Sequence, residues 1–234
     1  MPLFYTPYIT GSLHELDEEE SRHCIRVLRL NKGDVVHLTD GKGHLFECRI
    51  DAPDQKKCRL TIDKELPGSD SKGWHLHVAI APTKNHERFE WFLEKATEIG
   101  IDEITPLICE HSERREVKHA RFEKLIISAM KQSRRIILPK MNQPVQFSEL
   151  VQKYFSGVRY IAYCGTGREA GLSIVYKHGK DVLILIGPEG DFSAKEVEVA
   201  KENGFMPVNL GSSRLRTETA GIVACHTINL LNHH

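Results

Sequence analysis

A segment rich in glycine, LIGPEGDFS (residues 185–193), ends a strongly apolar run and has a composition suited to ligand binding. Gly187 and Gly190 permit a tight turn and a close approach to the backbone, and Pro188 stiffens that turn. Glu189 adds a negative charge, which suits a cationic ligand such as a sulfonium better than a polyphosphate. The spacing alone leaves a strand-to-helix turn without any ligand equally open.

A second segment, LGSSRLRTETA (residues 210–220), carries two arginines within one short loop. Arg214 and Arg216 could contact a phosphate or an anion that develops during a reaction. Without that chemistry, the segment is simply the start of a helix, with Thr217 as its cap and Glu218 in its first turn. On residue types alone, the plain helix start is slightly favoured.

The two common nucleotide-binding motifs do not fit these segments. The first segment lacks the lysine that follows the second glycine of a P-loop, and Pro188 interrupts the dinucleotide-binding pattern. A third segment, CGTGREAG (residues 164–171), resembles the dinucleotide pattern but has its last glycine at the wrong spacing. A nicotinamide-dependent dehydrogenase is therefore a weak alternative.

The composition is that of an ordinary globular protein. The 234 residues are 40% apolar and 27% charged, with a net charge of zero, which allows one large domain or two small ones. No apolar stretch approaches the roughly 18 residues of a membrane span, and the first residues lack the pattern of a secretory signal. The six cysteines are scattered without a CxxC pair. We therefore expect a cytoplasmic protein with free thiols and no metal.

The local charge is more informative than the net charge. Residues 111–140 contain nine lysines or arginines and three glutamates. A basic surface of this kind suits a partner that carries phosphates, such as RNA. On charge alone, a solvated helix face is the somewhat favoured interpretation.

The first part of the chain has the pattern of a small β-rich module. Three alternating segments predict strands at 34–40, 44–50 and 57–63, and a helix is predicted before them at 17–30. The arginines of that helix recur at helical spacing, so most of them could share one face. A stretch with Pro, Gly and Ser at 64–73 is typical of a linker.

The rest of the chain alternates predicted strands and helices. The helices are expected at 85–100 and 118–135, after Ser193 with Glu196 in a capping box, and at 217–232. The strands are expected at 75–81, 103–109, 158–164, 181–186 and 205–210. This alternation predicts an α/β domain with a mainly parallel sheet. Ligands of such sheets bind outside the carboxyl ends of the strands, where the three glycine-containing loops are expected. The last helix is apolar nearly all round, which indicates burial, either within the domain or against a second subunit.

The two C-terminal segments, in this order and at this distance, resemble the signature of the RsmE-type ribosomal RNA methyltransferases, which belong to the SPOUT class. The resemblance extends over nearly the whole chain. It includes HCIRVLRLNKGD, KNHERFEWFLEKATEIGIDEITPL, SERR and AMKQSRRIILP, at residues 23–34, 84–107, 112–115 and 129–139.

The resemblance implies a fold, a cofactor and a reaction. The fold would be a PUA-like β-barrel that binds RNA (1–68) and a SPOUT methyltransferase domain (74–234) whose C-terminal part forms a trefoil knot. The cofactor would be S-adenosylmethionine, and the protein would be a homodimer. The substrate would be N3 of one uridine in the decoding region of 16S ribosomal RNA, in the small ribosomal subunit or a late precursor.

The resemblance also implies site residues. Those that would bind the cofactor are Cys164, Gly165, Ile186, Gly187, Pro188, Glu189, Gly190, Leu210, Gly211, Ser212, Leu215 and Arg216. For catalysis we expect Arg216 to stabilise the uracil anion, and we expect Glu218 or Thr219 to orient Arg216. The residues expected to bind RNA are Arg22, Arg26 and Arg29 on the small domain, and Arg114, Arg115, Gln132, Arg134 and Arg135 on the large one.

Two positions depart from the family pattern. Many members have a second glycine after GPEG, where this chain has Asp191, and an arginine near the N-terminus, where it has Leu3. We expect Asp191 to restrict the turn or to cap the following helix without preventing cofactor binding. Two alternatives stay open at this point: an RNA-binding assembly factor without catalysis, and a SPOUT methyltransferase with another RNA target.

Overall fold

The computed structural model describes residues 1–9, 11–68, 72–165 and 169–233. It separates into two compact units. We call Met1–Ser71 with Met130–Leu138 the amino-terminal unit, and Lys72–Ala129 with Pro139–His234 the carboxyl-terminal unit. Residues 166–168 of the glycine-containing segment, 69–71 of the predicted linker, and His234 lie outside the described residues.

The amino-terminal unit contains a five-stranded sheet of order β1-β3-β4-β5-β2. Its strands are β1 (Leu3–Tyr5), β2 (Leu13–Glu15), β3 (Val35–Thr39), β4 (Leu45–Ala52) and β5 (Arg59–Leu66). Pairing is antiparallel except between β1 and β3, and two register shifts interrupt the β4–β5 ladder. Such irregularities bend a sheet, and the concave side covers a small core that includes Phe4, Val36 and Leu60.

The predicted helix at 17–30 is shorter and less regular than expected. Helix α1 (Glu18–Arg22) begins at Asp17, whose side chain accepts the backbone N–H of Glu20 at 2.8 Å. A π-helical turn follows at His23–Val27, and the chain leaves it at Arg29 with a φ of 56°. The widened turn places Cys24 in the core and leaves the arginines of this segment exposed.

The segment after helix α3 (His119–Gln132) belongs to the amino-terminal unit. Leu138 donates its N–H to the carbonyl of Gly41 at 2.8 Å, and Gly43 donates to Ile136 at 3.1 Å. These bonds pair the segment with the turn after β3 as a short antiparallel bridge. The assignment of Gln132, Arg134 and Arg135 to the large domain is therefore wrong, because a hydrogen-bonded return of the chain brings them to the small one.

The carboxyl-terminal unit is built on a parallel sheet of order β11-β13-β10-β12-β6-β7-β8, with β9 also paired to β7. Its strands are β6 (Leu76–Ile80), β7 (Glu103–Ile108), β8 (Lys140–Met141), β9 (Val145–Gln146), β10 (Val158–Ala162), β11 (Ala170–Gly171), β12 (Val182–Ile186) and β13 (Met206–Asn209). Every residue of β6 and β12 is buried, as expected of strands covered on both faces.

Helices connect the strands of this sheet, and the longer ones carry apolar faces that the sequence predicts. Besides α3, they are α2 (His86–Ile99), α4 (Phe147–Leu150), α5 (Leu172–Val175), α6 (Ala194–Glu202) and α7 (Thr217–Asn232). Helix α2 begins at the capping residue Asn85 and ends at Gly100, which has a left-handed conformation with a φ of 119°. Helix α7 packs closely on α2, since a Cβ at Gly221 would lie 2.6 Å from the ring of Phe92.

The predicted α/β class with a mainly parallel sheet and a preceding β module is confirmed. The trefoil knot stays a prediction. Sequence reasoning missed the short elements β1, β2, β8, β9, β11, α4 and α5, because two to four residues carry too little periodicity to be recognised. Within the described residues, the longest apolar helices fall short of what would cross a bilayer.

Candidate active site

Three loops meet at one edge of the parallel sheet. The first loop follows β10 at 163–165, the second follows β12 at 187–191, and the third follows β13 at 210–216. Because β13, β10 and β12 are adjacent and parallel, their carboxyl ends lie side by side. The sheet order thus unites the three segments that the sequence singles out.

The second loop is a tight turn closed by a hydrogen bond from the N–H of Asp191 to the carbonyl of Pro188, at 2.9 Å. Gly187 is closely packed, since a Cβ there would lie 3.1 Å from the ring of Phe192 and 3.3 Å from its backbone nitrogen, and these atoms would have to shift slightly to accept it. At Gly190 a Cβ would come within 3.1 Å of the Cβ of His111. The glycines therefore let the turn lie flat against its neighbours.

Asp191 connects the second loop to the first. Its φ is 62°, and its carboxylate accepts the N–H of Phe192 at 2.8 Å and the N–H of Cys164 at 3.3 Å. The capping of α6 is instead carried out by Ser193, whose hydroxyl accepts the N–H of Glu196 at 3.2 Å. Asp191 thus occupies the left-handed region, which Asp tolerates better than most residues, and adds a bond between two loops.

Thr217 connects the second loop to the third. Its buried hydroxyl donates to the carbonyl oxygen of Gly187 at 3.0 Å. The cap of α7 is Arg216, in an extended conformation and without a capping hydrogen bond from its side chain. The alternative prediction that Thr217 caps the helix is wrong, because the side chain of Thr217 is bound to the neighbouring loop instead.

The residues proposed for catalysis differ in exposure. Arg216 is exposed at the loop edge, Thr219 is half-buried and Glu218 is buried. One oxygen of Glu218 lies 3.8 Å from Nε of Arg88, and its other oxygen, Oε2, has no hydrogen-bond partner among the described residues. The orientation of Arg216 by Glu218 or Thr219 stays a prediction. Arg88 on α2 was missed, because only the packing of α2 against α7 brings it to this place.

The environment of the loops also affects two titratable groups. Burial raises the pKa of the Cys164 thiol, and the carboxylate of Asp191 raises it further. The carbonyl of Asp191 accepts a hydrogen bond from His111, which raises the pKa of that imidazole. Cys164 is therefore a neutral thiol at pH 7 and is not built to act as a nucleophile.

The contacts of Glu189 differ from the interpretation, made from its charge, that its carboxylate binds a cationic ligand. Its carboxylate accepts the backbone N–H of Lys84 at 3.0 Å, in the loop between β6 and α2. The ammonium of Lys84 lies 2.8 Å from Glu113, and its carbonyl accepts a hydrogen bond from Arg114 at 2.9 Å. Although Glu189 is exposed, its carboxylate is therefore bonded to the protein backbone.

The residues predicted to bind RNA are divided between the two units. The members in the amino-terminal unit are Arg22, Arg26, Arg29, Gln132, Arg134 and Arg135, all exposed except the half-buried Arg135. The members in the carboxyl-terminal unit are the half-buried Arg114 and the exposed Arg115. Arg134, like Arg29, has a positive φ, of 58°. Non-glycine residues at positive φ are uncommon and recur at functional positions.

The edge formed by the three loops fits a cofactor that is bound by its adenosine and amino-acid parts. The half-buried Leu210 and Leu215 supply apolar contact beside the buried Pro188. Gly190 is exposed at this edge, and Leu215 is half-buried. Backbone donors next to apolar side chains suit a nucleoside, and the described residues hold no cluster of three His, Cys, Asp or Glu that could bind a metal.

Two family models match the chain. One describes an RNA methyltransferase domain and matches residues 70–229, and the other describes an RNA methyltransferase PUA domain and matches residues 16–63. Together they span both compact units. A curated relative, ribosomal RNA small subunit methyltransferase E of Aquifex aeolicus, is 29% identical over 94% of this chain and 95% of that protein.

Solved structures resemble the chain over nearly its full length. The crystal structure of a probable rRNA methyltransferase from Porphyromonas gingivalis is 46% identical, with a TM-score of 0.92 over 99% of this chain and 98% of that one. The ribosomal RNA small subunit methyltransferase E of Neisseria gonorrhoeae, crystallised with S-adenosylmethionine, is 28% identical, with a TM-score of 0.91 and the same coverage.

Proposed function

We propose, from the premise that this chain belongs to the ribosomal RNA small subunit methyltransferase E family, that it transfers a methyl group from S-adenosylmethionine to N3 of one uridine in 16S ribosomal RNA. The observation that carries the proposal is the joining of three glycine-containing loops at one sheet edge. Asp191 bonds the second loop to the first, and Thr217 bonds the third loop to the second.

These loops supply the cofactor site in the proposal. When bound, S-adenosylmethionine supplies an electrophilic methyl group on a positively charged sulfur. The backbone of Gly187–Gly190, the amide of Leu215, and the side chains of Leu210 and Leu215 would hold it. The other loop residues that would contact the cofactor, as the family resemblance implies, are Cys164, Gly165, Ile186, Gly211, Ser212 and Arg216. Because the amides are fixed by the folded loops, little ordering is needed on binding.

The chemical difficulty lies with the acceptor, because uridine N3 carries a proton at neutral pH. We place the exposed guanidinium of Arg216 beside the uracil, where it stabilises the negative charge that develops on the oxygens as the proton leaves. The rigid start of α7 holds Arg216, since the next residue is bonded to Gly187. Glu218 and Thr219 complete this group in the proposal, and the general base is not assigned.

The remaining parts of the proposal concern partners. The arginines of the amino-terminal unit and Arg114 with Arg115 contact phosphates and position the RNA. The target uridine leaves its stack to reach the methyl group. The protein acts in the cytoplasm as a homodimer, with the apolar α7 near the dimer interface, on the assembled small subunit or a late precursor. We also propose that the C-terminal part of the methyltransferase domain forms the trefoil knot of the SPOUT class.

A direct experiment tests the proposal. Small ribosomal subunits that lack the modification are incubated with the protein and methyl-labelled S-adenosylmethionine, and the labelled nucleotide is mapped. A single labelled uridine, methylated at N3, is expected. A label on a ribose, or on transfer RNA added in competition, would identify a methyltransferase with another target. The absence of both methyl transfer and S-adenosylmethionine binding in calorimetry would indicate an RNA-binding assembly factor without catalysis.

A further inference from the structure

Lys84 links the second loop to the basic segment that follows β7. Its N–H is bound by the carboxylate of Glu189 at 3.0 Å, and its carbonyl is bound by the guanidinium of Arg114 at 2.9 Å. The backbone of Lys84 is therefore bonded through its N–H to the predicted cofactor loop and through its carbonyl to a predicted RNA-binding arginine.

The segment around Lys84 is held in place by its own bonds. Thr83 donates its hydroxyl to the carbonyl of Asn85 at 2.6 Å, and the side chain of Asn85 caps α2 by accepting the N–H of Glu87 at 2.9 Å. Lys84 is itself exposed, but its backbone lies between the buried Thr83 and the capped start of α2. A displacement of Lys84 by Glu189 would therefore also move the carbonyl of Lys84 to which Arg114 donates.

Arg114 is a fixed arginine rather than a freely solvated one. It is half-buried, and its guanidinium bonds to the imidazole of His86 as well as to the carbonyl of Lys84. Its Nε is buried and has no hydrogen-bond partner among the described residues. Such an arginine presents its remaining donors in a direction that the surrounding protein sets.

The neighbouring residues of the basic segment also lie against the second loop. Glu110 donates its N–H to the carboxylate of Glu196 at 2.9 Å, and the ring of His111 is 3.0 Å from the carbonyl of Asp191. Two further bonds thus join residues 110 and 111 to the second loop and to α6. The path through Glu189 and Lys84 reaches the half-buried Arg114, and the path through Glu196 and Glu110 reaches the exposed Arg115, whose guanidinium donates to the carbonyl of Glu110 at 3.5 Å.

We infer that Glu189 is a positioning residue for RNA, acting through Lys84 on Arg114. The inference rests on the proposed function and assigns to this carboxylate a task other than neutralising a sulfonium. When the second loop has the shape in which Glu189 reaches Lys84, Arg114 is held in its RNA-contacting direction. Cofactor binding and RNA binding would then favour the same arrangement of these residues.

Two substitutions at one position separate positioning from charge. Glu189→Gln removes the negative charge but keeps an oxygen that can accept the N–H of Lys84, whereas Glu189→Ala removes both. If Glu189 positions Lys84, Gln recovers most of what Ala loses. If Glu189 acts by its charge, the two variants are impaired alike, and the inference is overturned.

The first measurement requires neither RNA nor catalysis. Hydrogen exchange of the full-length protein is followed for the Lys84 amide and for residues 110–116. In Glu189→Ala we expect the Lys84 amide to exchange about tenfold faster or more, because its acceptor is lost, and Glu189→Gln to stay near the wild type. Unchanged exchange at Lys84 in Glu189→Ala overturns the inference.

The second measurement separates substrate binding from turnover. For Glu189→Ala we expect the KM for unmodified small subunits to rise by about five- to tenfold, more than the Kd for S-adenosylmethionine changes. Arg114→Ala should give a similar rise. The double variant should be no worse than Arg114→Ala, since both changes interrupt one path. Additive effects, or a rise confined to the cofactor Kd, would refute the path.

Failure of the inference can be distinguished from failure of the proposed function. If the wild-type protein methylates no small subunit, the proposed function fails, while the exchange experiment still tests the bond between Glu189 and Lys84. RNA affinity is then measured by filter binding with an RNA fragment of the decoding region. If the wild type is active but Glu189→Ala behaves like it in exchange and KM, only the inference fails.

Discussion

Thr217 donates its hydroxyl to the backbone carbonyl of Gly187 across 3.0 Å, and this bond joins two loops that are thirty residues apart in the chain. Both residues are buried, so the carbonyl has no access to bulk water as a replacement partner. The start of α7 and the glycine turn after β12 are therefore held in one geometry.

Thr217→Val should weaken both folding and cofactor binding. The substitution keeps the shape of the side chain but leaves the buried carbonyl of Gly187 unpaired, at a cost of about 1–3 kcal/mol. Urea unfolding gives the stability, and calorimetry gives the affinity for S-adenosylmethionine. Thr217→Ser, which keeps the hydroxyl, is the matched control. Equal stability of the Val and Ser variants would contradict the role of the bond.

Asp191→Ala should be more harmful than Asp191→Gly. Alanine loses the bonds to Phe192 and Cys164 and retains a side chain at a φ of 62°, whereas glycine adopts this conformation freely. We expect the two variants to differ in unfolding free energy by about 1–2 kcal/mol. Asp191→Asn, which keeps an acceptor, should lie close to the wild type. A glycine variant less stable than the alanine variant would rule out this explanation.

Arg216→Ala should lower kcat by about a hundredfold or more if its guanidinium stabilises the uracil anion. The affinity for S-adenosylmethionine, measured separately by calorimetry, should fall far less than the rate. Arg216→Lys keeps the positive charge without the planar group and should lie between the two. Single-turnover methyl transfer to small subunits is the measurement. Turnover of Arg216→Ala at the wild-type rate would exclude the role.

His77 should make stability depend on pH between about 6.5 and 4. Burial lowers the pKa of His77 to about 4, although the carboxylate of Glu103 opposes the shift. The unfolded chain then binds more protons in this window, so the contribution of His77 is complete above pH 6.5 and is lost as the pH falls. The expected size is about 3 kcal/mol. His77→Gln should flatten this part of the stability profile.

His75 is the control for that profile, because its shift has the opposite sign. Its hydrogen bond to Glu103 raises the pKa of the imidazole, so its contribution is present at low pH and is lost as the pH rises through the folded value. The other charged groups near the pair are Lys140, which also binds Glu103, and the carboxylates of Asp102 and Asp181, which raise the pKa of His75 further. Subtracting the wild-type dependence of unfolding free energy on pH from that of a variant cancels the contributions of the other titrating groups. A His77→Gln profile as steep as that of the wild type would contradict the prediction.

RNA affinity should depend on salt through the exposed arginines of the amino-terminal unit. If Arg26 and Arg134 each contact a phosphate, Arg26→Ala and Arg134→Ala should each reduce the slope of log K against log salt by about 1. Filter binding at several salt concentrations measures the slope. Arg59→Ala is the control, since Arg59 lies in the same unit but is paired with Asp51 at 2.8 Å. A slope equal to that of the wild type in both test variants would remove them from the RNA surface.

Local features of the fold could be predicted because the residues that decide them are neighbours in the chain. The capping box of Ser193 and Glu196, the start of α2 at Asn85 and its end at Gly100 each depend on bonds within one helical turn. The buried strands were recognised by their apolar runs. The strand of three residues at Leu3–Tyr5 was not, since it is defined by its partner β3 rather than by its own pattern.

By itself the sequence determined the class of the fold, the family and the three loops that could bind a cofactor, since each depends on residue types in short segments. Only the tertiary structure decided which residues serve one another. The order of strands β13, β10 and β12 set the loops side by side, and a return of the chain moved Arg134 to the amino-terminal unit. The bond of Glu189 to Lys84 crosses 105 positions. Hydrogen bonds form between groups that are near in space, and over such separations only the packed sheet determines which groups those are.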